Sequence, residues 1–166
     1  DGSCFDVIRH KGQLYVTTLQ GLFRLKEKFI TDFPTGKLAT GISFYFEKIL
    51  DIISDAWCLH SYKNSLLVGT REGVVEMNDE KIRMVCTGNA RRFSTFFPDS
   101  NYCFASYGSK IDILKHEKNQ WNYYGKFDNI SGLGFEINKE VATPEGPVYF
   151  FNDHEGVTWH IKDRNE

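Results

Sequence analysis

Residues 14 to 25, LYVTTLQGLFRL, align without a gap on residues 66 to 77, LLVGTREGVVEM, 52 positions further on. Leu14 answers Leu66, Val16 answers Val68, Thr18 answers Thr70 and Gly21 answers Gly73. The match extends upstream, with Lys11 against Lys63 and Phe5 against Trp57, and downstream, with Ile30 against Ile82. Apolar side chains alternate up to the threonine, which is the period of a strand because successive side chains point to opposite faces. Two residues then lead to a glycine and a second apolar run. A short link ending in Gly is a hairpin signal, since Gly tolerates the positive φ of a tight turn. Each copy therefore reads as strand, tight turn, strand. Two unrelated hairpins in one all-β domain are the competing reading.

Two looser copies follow. Residues 102–114, YCFASYGSKIDIL, lack the threonine and carry the glycine late, whereas 148–161, VYFFNDHEGVTWHI, keep Gly156 in place. The resulting period of roughly 40–45 residues is that of a propeller blade. Each unit can be filled out to four strands. The first takes CFDVI, LYVTT, GLFRL and KFITDF, and the second WCLHS, SLLVGT, GVVEM and KIRMVCT. The third takes RFSTFF, YCFASY, IDILK and WNYYGKF, with Pro98 and Asp99 in a turn. The fourth has FEINKEVA, PVYFF and VTWHIK and lacks its outermost strand. Expected units are 3–40, 55–88, 91–127 and 134–166 in one domain, whole or part of a larger propeller. The fold class is all-β, a β-propeller-like array of about four four-stranded antiparallel blades. Residues 41–54, GISFYFEKILDIIS, fit an inserted hairpin, a short helix or an extra strand equally. Aromatic residues make up 15% of the chain, 14 of them Phe. Blades buried on both faces need such bulk.

The hairpin resembles the repeat of the two-component regulator propellers, close to "L-W-[IV]-G-T-x-x-G-[LV]-x-x-[LFM]". Val68, Gly69, Thr70, Gly73 and Val74 fit it, with Leu67 in place of Trp. Val16, Thr18, Gly21 and Leu22 fit in the first unit, where Thr17 replaces the glycine, and Trp121 resembles the outer strand of such blades. The resemblance implies a ligand-sensing module of a bacterial signal-transduction protein. Its implied location is periplasmic or extracytoplasmic, and its implied ligand an oligosaccharide or other small molecule. A scaffold propeller binding another protein is the alternative, and further propeller units or a homodimer are possible partners.

Lys and Arg total 20 against 22 acids, giving no electrostatic reason to expect nucleic acid. No apolar run approaches the ~20 residues of a membrane helix. The start shows no leader pattern and reads as a processed or excised chain. Cys4, Cys58, Cys86 and Cys103 lack metal spacing. Lying in apolar runs, they are expected as buried free thiols, one bridge between neighbouring strands being the alternative.

Catalytic chemistry is not expected, and neither a metal nor a cofactor. Cys58 and His60 share a strand face and could begin a nucleophile pair, but packing explains them as well. Asp153, His154 and Glu155 form a polar turn whose adjacent side chains splay apart. Asn129 opens a formal glycosylation triplet with Ile130 and Ser131. Arg91 and Arg92, with Lys81 and Arg83, suggest a small basic spot on a solvated edge. Propeller ligands meet the end of the axis, lined by the turns from second to third strand and by the links between blades. Here those are Leu19 with Gln20, Arg71 with Glu72, Ser109 with Lys110, and 89–92, 128–131 and 153–155. The expected ligand-binding side chains are Arg71, Glu72, Lys110, Arg91, Arg92, Asp128, Asp153 and His154.

Overall fold

In the computed structural model the chain turns at both repeated threonines by one device. Thr70 Oγ1 accepts from the amides of Glu72 at 3.2 Å and Gly73 at 3.1 Å, and donates to the Gly73 carbonyl at 2.8 Å. Thr18 Oγ1 accepts from Gln20 N at 3.0 Å and donates to the Gly21 carbonyl at 3.2 Å. The hydroxyl thus satisfies backbone groups that the tight turn leaves without ladder partners. Gly73 has a second reason: a Cβ there would lie 2.0 Å from the Cys86 carbonyl oxygen. The repeat also governs the preceding turn, where Lys11 and Lys63 take φ of 49° and 51°.

The structure describes residues 3–30, 41–49, 54–79, 81–95, 100–107, 110–127, 136–143, 146–152 and 158–162. Among them there is no helix. The first sheet holds β1 (Cys4–His10), β2 (Gln13–Thr18), β3 (Gly21–Ile30) and β4 (Gly41–Lys48), and the second β5 (Ala56–Tyr62), β6 (Ser65–Thr70), β7 (Gly73–Asn78) and β8 (Lys81–Thr87). The third holds β9 (Arg92–Thr95), β10 (Tyr102–Tyr107), β11 (Lys110–Glu117) and β12 (Gln120–Phe127). β13 (Glu136–Thr143), β14 (Gly146–Asn152) and β15 (Thr158–Lys162) form a three-stranded fourth sheet. In every sheet the strands lie in chain order and pair antiparallel. The first strands adjoin in series, β1 against β5, β5 against β9 and β9 against β13. This is a β-propeller-like array of blades.

One boundary departs from expectation. KFI does not begin the fourth strand of the first sheet. It continues β3, which pairs over its length from Phe23↔Lys48 to Ile30↔Gly41. Lys26, Glu27 and Lys28 offer no turn former, so nothing breaks the strand there. The fourth strand is instead β4, drawn from the segment 41–54 whose reading was open. Residues 50–53 of that segment lie outside the described residues.

The first strands share a bulge. The register slips between Cys4 and Asp6 in β1 and between Ala56 and Cys58 in β5, setting Phe5 and Trp57 out of the ladder. Such bulges re-aim a side chain, and these two rings meet at 4.9 Å between centroids.

Packing between sheets divides the core in two. Tyr15 and Leu22 meet Leu59, Leu66, Val68, Val75 and Met77 between the first and second sheets. Leu67, Val74, Cys103, Ala105, Leu114 and Trp121 fill the space between the second and third. β6 is buried along its whole length because both its faces are covered. Each interface carries its own polar contacts. Asp6 Oδ2 accepts from Leu59 N at 2.8 Å, and His10 Nδ1 lies 2.8 Å from Ser61 Oγ. In the second interface Glu76, fully buried, accepts from Ser65 Oγ at 2.6 Å and from Trp121 N at 3.1 Å, with Arg83 at 2.5 Å. Arg83 also donates to the Trp121 carbonyl, closing a network across two sheets.

Thr17, which stands where the repeat has glycine, is explained by its surroundings. At Gly69 an added Cβ would lie 2.3 Å from Cys58 Sγ and 2.6 Å from the Ala90 carbonyl oxygen. In the first sheet the corresponding position has room for a hydroxyl, and Thr17 Oγ1 sits 3.3 Å from the Asp6 carbonyl and 3.4 Å from that of Trp57.

Candidate functional site

Turns and links gather at one end of the array and are tied by backbone hydrogen bonds. Arg71 N donates to the Asp55 carbonyl at 3.0 Å, Gly88 N to that of Glu72 at 2.8 Å, and Ala90 N to that of Thr70 at 2.9 Å. Arg91 N donates to the Ser106 carbonyl at 3.0 Å, joining the link after β8 to the third sheet. Such satisfied loops form a firm platform rather than a set of loose tips.

On that platform an aromatic and cationic cluster draws on all three four-stranded sheets. The bulges of β1 and β5 bring Phe5 onto Trp57. The Arg91 guanidinium lies over the Trp57 ring at 4.5 Å and over the Tyr107 ring at 5.3 Å, a stacked cation–π arrangement. Phe5, Arg91 and Tyr107 are exposed and Trp57 half-buried. The Trp57 indole Nε1 is buried and has no hydrogen-bond acceptor among the described residues.

Of the expected ligand-binding side chains, the structure brings Arg71, Glu72 and Arg91 to this end and leaves all three exposed. Arg71 approaches the Asp55 carboxylate at 4.0 Å. Arg92 begins β9 opposite Ser106, and Lys110 begins β11 opposite Tyr107; both are exposed. Asp128, Asp153 and His154 lie outside the described residues, as does the triplet at Asn129. The basic spot does not assemble. Lys81 and Arg83 lie near the opposite end of β8, where Arg83 pairs with Glu76, whereas Arg91 stacks on Trp57. A Tyr or Trp near these turns was expected to stack on a sugar, but the rings beside Arg91 could not be named, because Trp57 and Tyr107 lie in strands rather than in the turns. The Phe5–Trp57 correspondence was the available signal.

Cys58 and His60 do share a face, the one turned to the third sheet. Burial pushes the Cys58 thiol well up, with the Asp6 charge adding to it, and pushes His60 down to about 4. The thiol donates to the Ala90 carbonyl at 3.8 Å, and His60 packs among Tyr62, Phe93 and Trp121. A protonated thiol beside a neutral imidazole is poorly set for nucleophilic attack, which needs the thiolate. All four cysteines are free. Cys58 and Cys103 are buried and Cys86 half-buried, but Cys4 is exposed, contrary to expectation, because its strand edge lies at the margin of the first sheet.

A concave volume of about 770 Å³ lies at the other end, between the β7–β8 and β11–β12 turns. Glu76, Asn78, Asp79, Arg83, Asn119 and Gln120 line it. Its surface is more apolar than polar, with Ile82 also in its lining, and it borders the Glu76 network that joins the second and third sheets. The platform with Trp57, by contrast, is open.

Comparison with protein-family models, with curated proteins and with solved structures finds no match for this chain.

Proposed function

We propose that the chain is a non-catalytic recognition module that binds an oligosaccharide across the platform around Trp57, Arg91 and Tyr107, as part of a bacterial sensing protein. One observation carries this reading: a stacked aromatic–arginine cluster, built from three sheets, is left open at the end where the turns converge. Flat rings take the apolar faces of sugars, and nearby polar groups orient the hydroxyls. The exposed Arg71 and Glu72 are suitable hydrogen-bonding groups. An open platform also suits a chain of sugars better than a single ring.

Titration of neutral and uronate-bearing oligosaccharides against tryptophan fluorescence tests it. At least one class is expected to give a saturable change, weakened about tenfold by Tyr107→Ala, equivalent to roughly 1.4 kcal/mol. Absence of saturation with every sugar would remove the reading.

A second reading, a scaffold that binds another protein, is favoured by a different observation. The first sheet exposes a broad apolar face at the rim, with Ile42, Phe44 and Phe46 on its outer strand.

A further inference from the structure

Register places Val7 beside Val16 and Val16 beside Phe23. Across the outer pair of strands, Leu25 stands beside Phe46, Glu27 beside Phe44 and Phe29 beside Ile42. Strand alternation puts all of these on one face, opposite the face through which Tyr15 and Leu22 pack on the second sheet. Val7 is 53% exposed, Phe29 70%, Ile42 57%, Phe44 61% and Phe46 52%.

The repeat identifies what kind of surface this is. The 52-residue offset carries Val7, Leu14, Val16, Phe23 and Leu25 onto Leu59, Leu66, Val68, Val75 and Met77. Those five are buried, and they receive the first sheet. The outward face of the first sheet is therefore a second copy of a receiving face. The opposite, inserting faces of the first and second sheets are covered by the sheets that follow them. Phe104 and Ile111, on the corresponding face of the third sheet, are also buried. Among these three sheets, the apolar face left open to meet another molecule is the receiving face itself.

We propose that a second copy of this chain covers this face, the two first sheets meeting back to back in an isologous dimer. The side chains named expose an area on the order of 600–700 Å², above the usual largest patch of a monomer and close to the ~800 Å² per partner of a standard interface. In an isologous contact each pairing occurs twice. The face carries Glu27 together with Arg9 and Lys48, so opposite charges are at hand to pair across the axis. This inference deepens the scaffold reading by naming the partner, and it does not depend on sugar binding.

Sedimentation equilibrium of the full chain tests it. The wild type is expected to dimerise reversibly. The double variant Phe44→Glu with Phe46→Glu should be a monomer with unchanged circular dichroism, its dimer weakened about a hundredfold or more. Phe29→Lys, at the most exposed of the named positions, serves as a second variant should the first lose its fold. A dimer that survives both variants uses another face and overturns the proposal, as does a monomeric wild type. In the monomeric case an apolar dye separates the readings. Dye binding abolished by the variants leaves the face open to a foreign protein and the scaffold reading standing. No dye binding means the face is covered within the chain, and both fall.

Discussion

Gly12 lies within the β1–β2 turn and Gly73 begins β7 just after its turn, and a methyl group has different consequences at each. At Gly12, φ is 78° and an added Cβ meets nothing within 4 Å, so Gly12→Ala carries only the backbone cost, about 1 kcal/mol. At Gly73 the same atom meets the Cys86 carbonyl, and Gly73→Ala is expected to destabilise by about 3 kcal/mol or more in urea denaturation. His60 makes a prediction in pH. Its folded-state value is about 4 against an ordinary value near 6.5, so the unfolded chain takes up a proton that the folded chain refuses. Stability is unaffected above about pH 6.5, falls as pH drops from there to about 4, and levels off below; the loss is roughly 3 kcal/mol. Burial lowers His10 and His116 as well, which adds loss in the same direction. His60→Phe keeps the contacts with Tyr62, Phe93 and Trp121 and should flatten much of the slope, measured by urea melts at about pH 7.5 and about pH 4.5. The Thr–Gly turns were legible in the sequence because their chemistry is local. The partners of Asp6 and Thr17 were not, since they include Leu59, 53 positions from Asp6, and Trp57, 40 positions from Thr17.

Strands followed alternation and turn formers closely wherever the turns were short and polar. The first sheet misled for a physical reason: Lys26, Glu27 and Lys28 look like a loop by polarity but contain no residue that bends the chain, so β3 runs straight on. β4 was ambiguous because Ile42, Phe44 and Phe46 carry a strand period while the residues after them carry a helical one. At this scale the Glu76 network makes the sharpest prediction. Glu76→Ala leaves Ser65 and the Trp121 amide without their acceptor in a buried interface, while the part-exposed Arg83 keeps the Trp121 carbonyl, at a cost of about 1–3 kcal/mol. Arg83→Ala leaves the buried Glu76 carboxylate without its counter-charge and should cost more, about 3–5 kcal/mol. The double variant is expected to fall short of the sum, which a double-mutant cycle would measure.

Across the molecule, burial is highest in the middle sheet and falls toward the rim. In the monomer, kept so by dilution, hydrogen exchange should therefore be slowest in β6 and β7, both nearly wholly buried, and faster in β4, whose outward side chains then lie largely in solvent. Equal protection in β4 and β6 would show that the first sheet's outer face is covered in solution. The array of four units was legible as rhythm, because each blade must pack on the next. The aromatic platform was not, because it depends on bulges that swing Phe5 and Trp57 out of register, and bulges leave little trace in an alternating pattern. A last consequence concerns assembly during folding. Similar units in tandem invite docking on the wrong neighbour, a familiar failure of tandem chains. Here the first junction is keyed by a carboxylate and a threonine, Asp6 and Thr17, whereas the second has a thiol and a glycine in the same places, Cys58 and Gly69. A unit that docks out of turn would strand the carboxylate or drive a threonine into space sized for a hydrogen atom, so the duplicated stretches carry their own serial order.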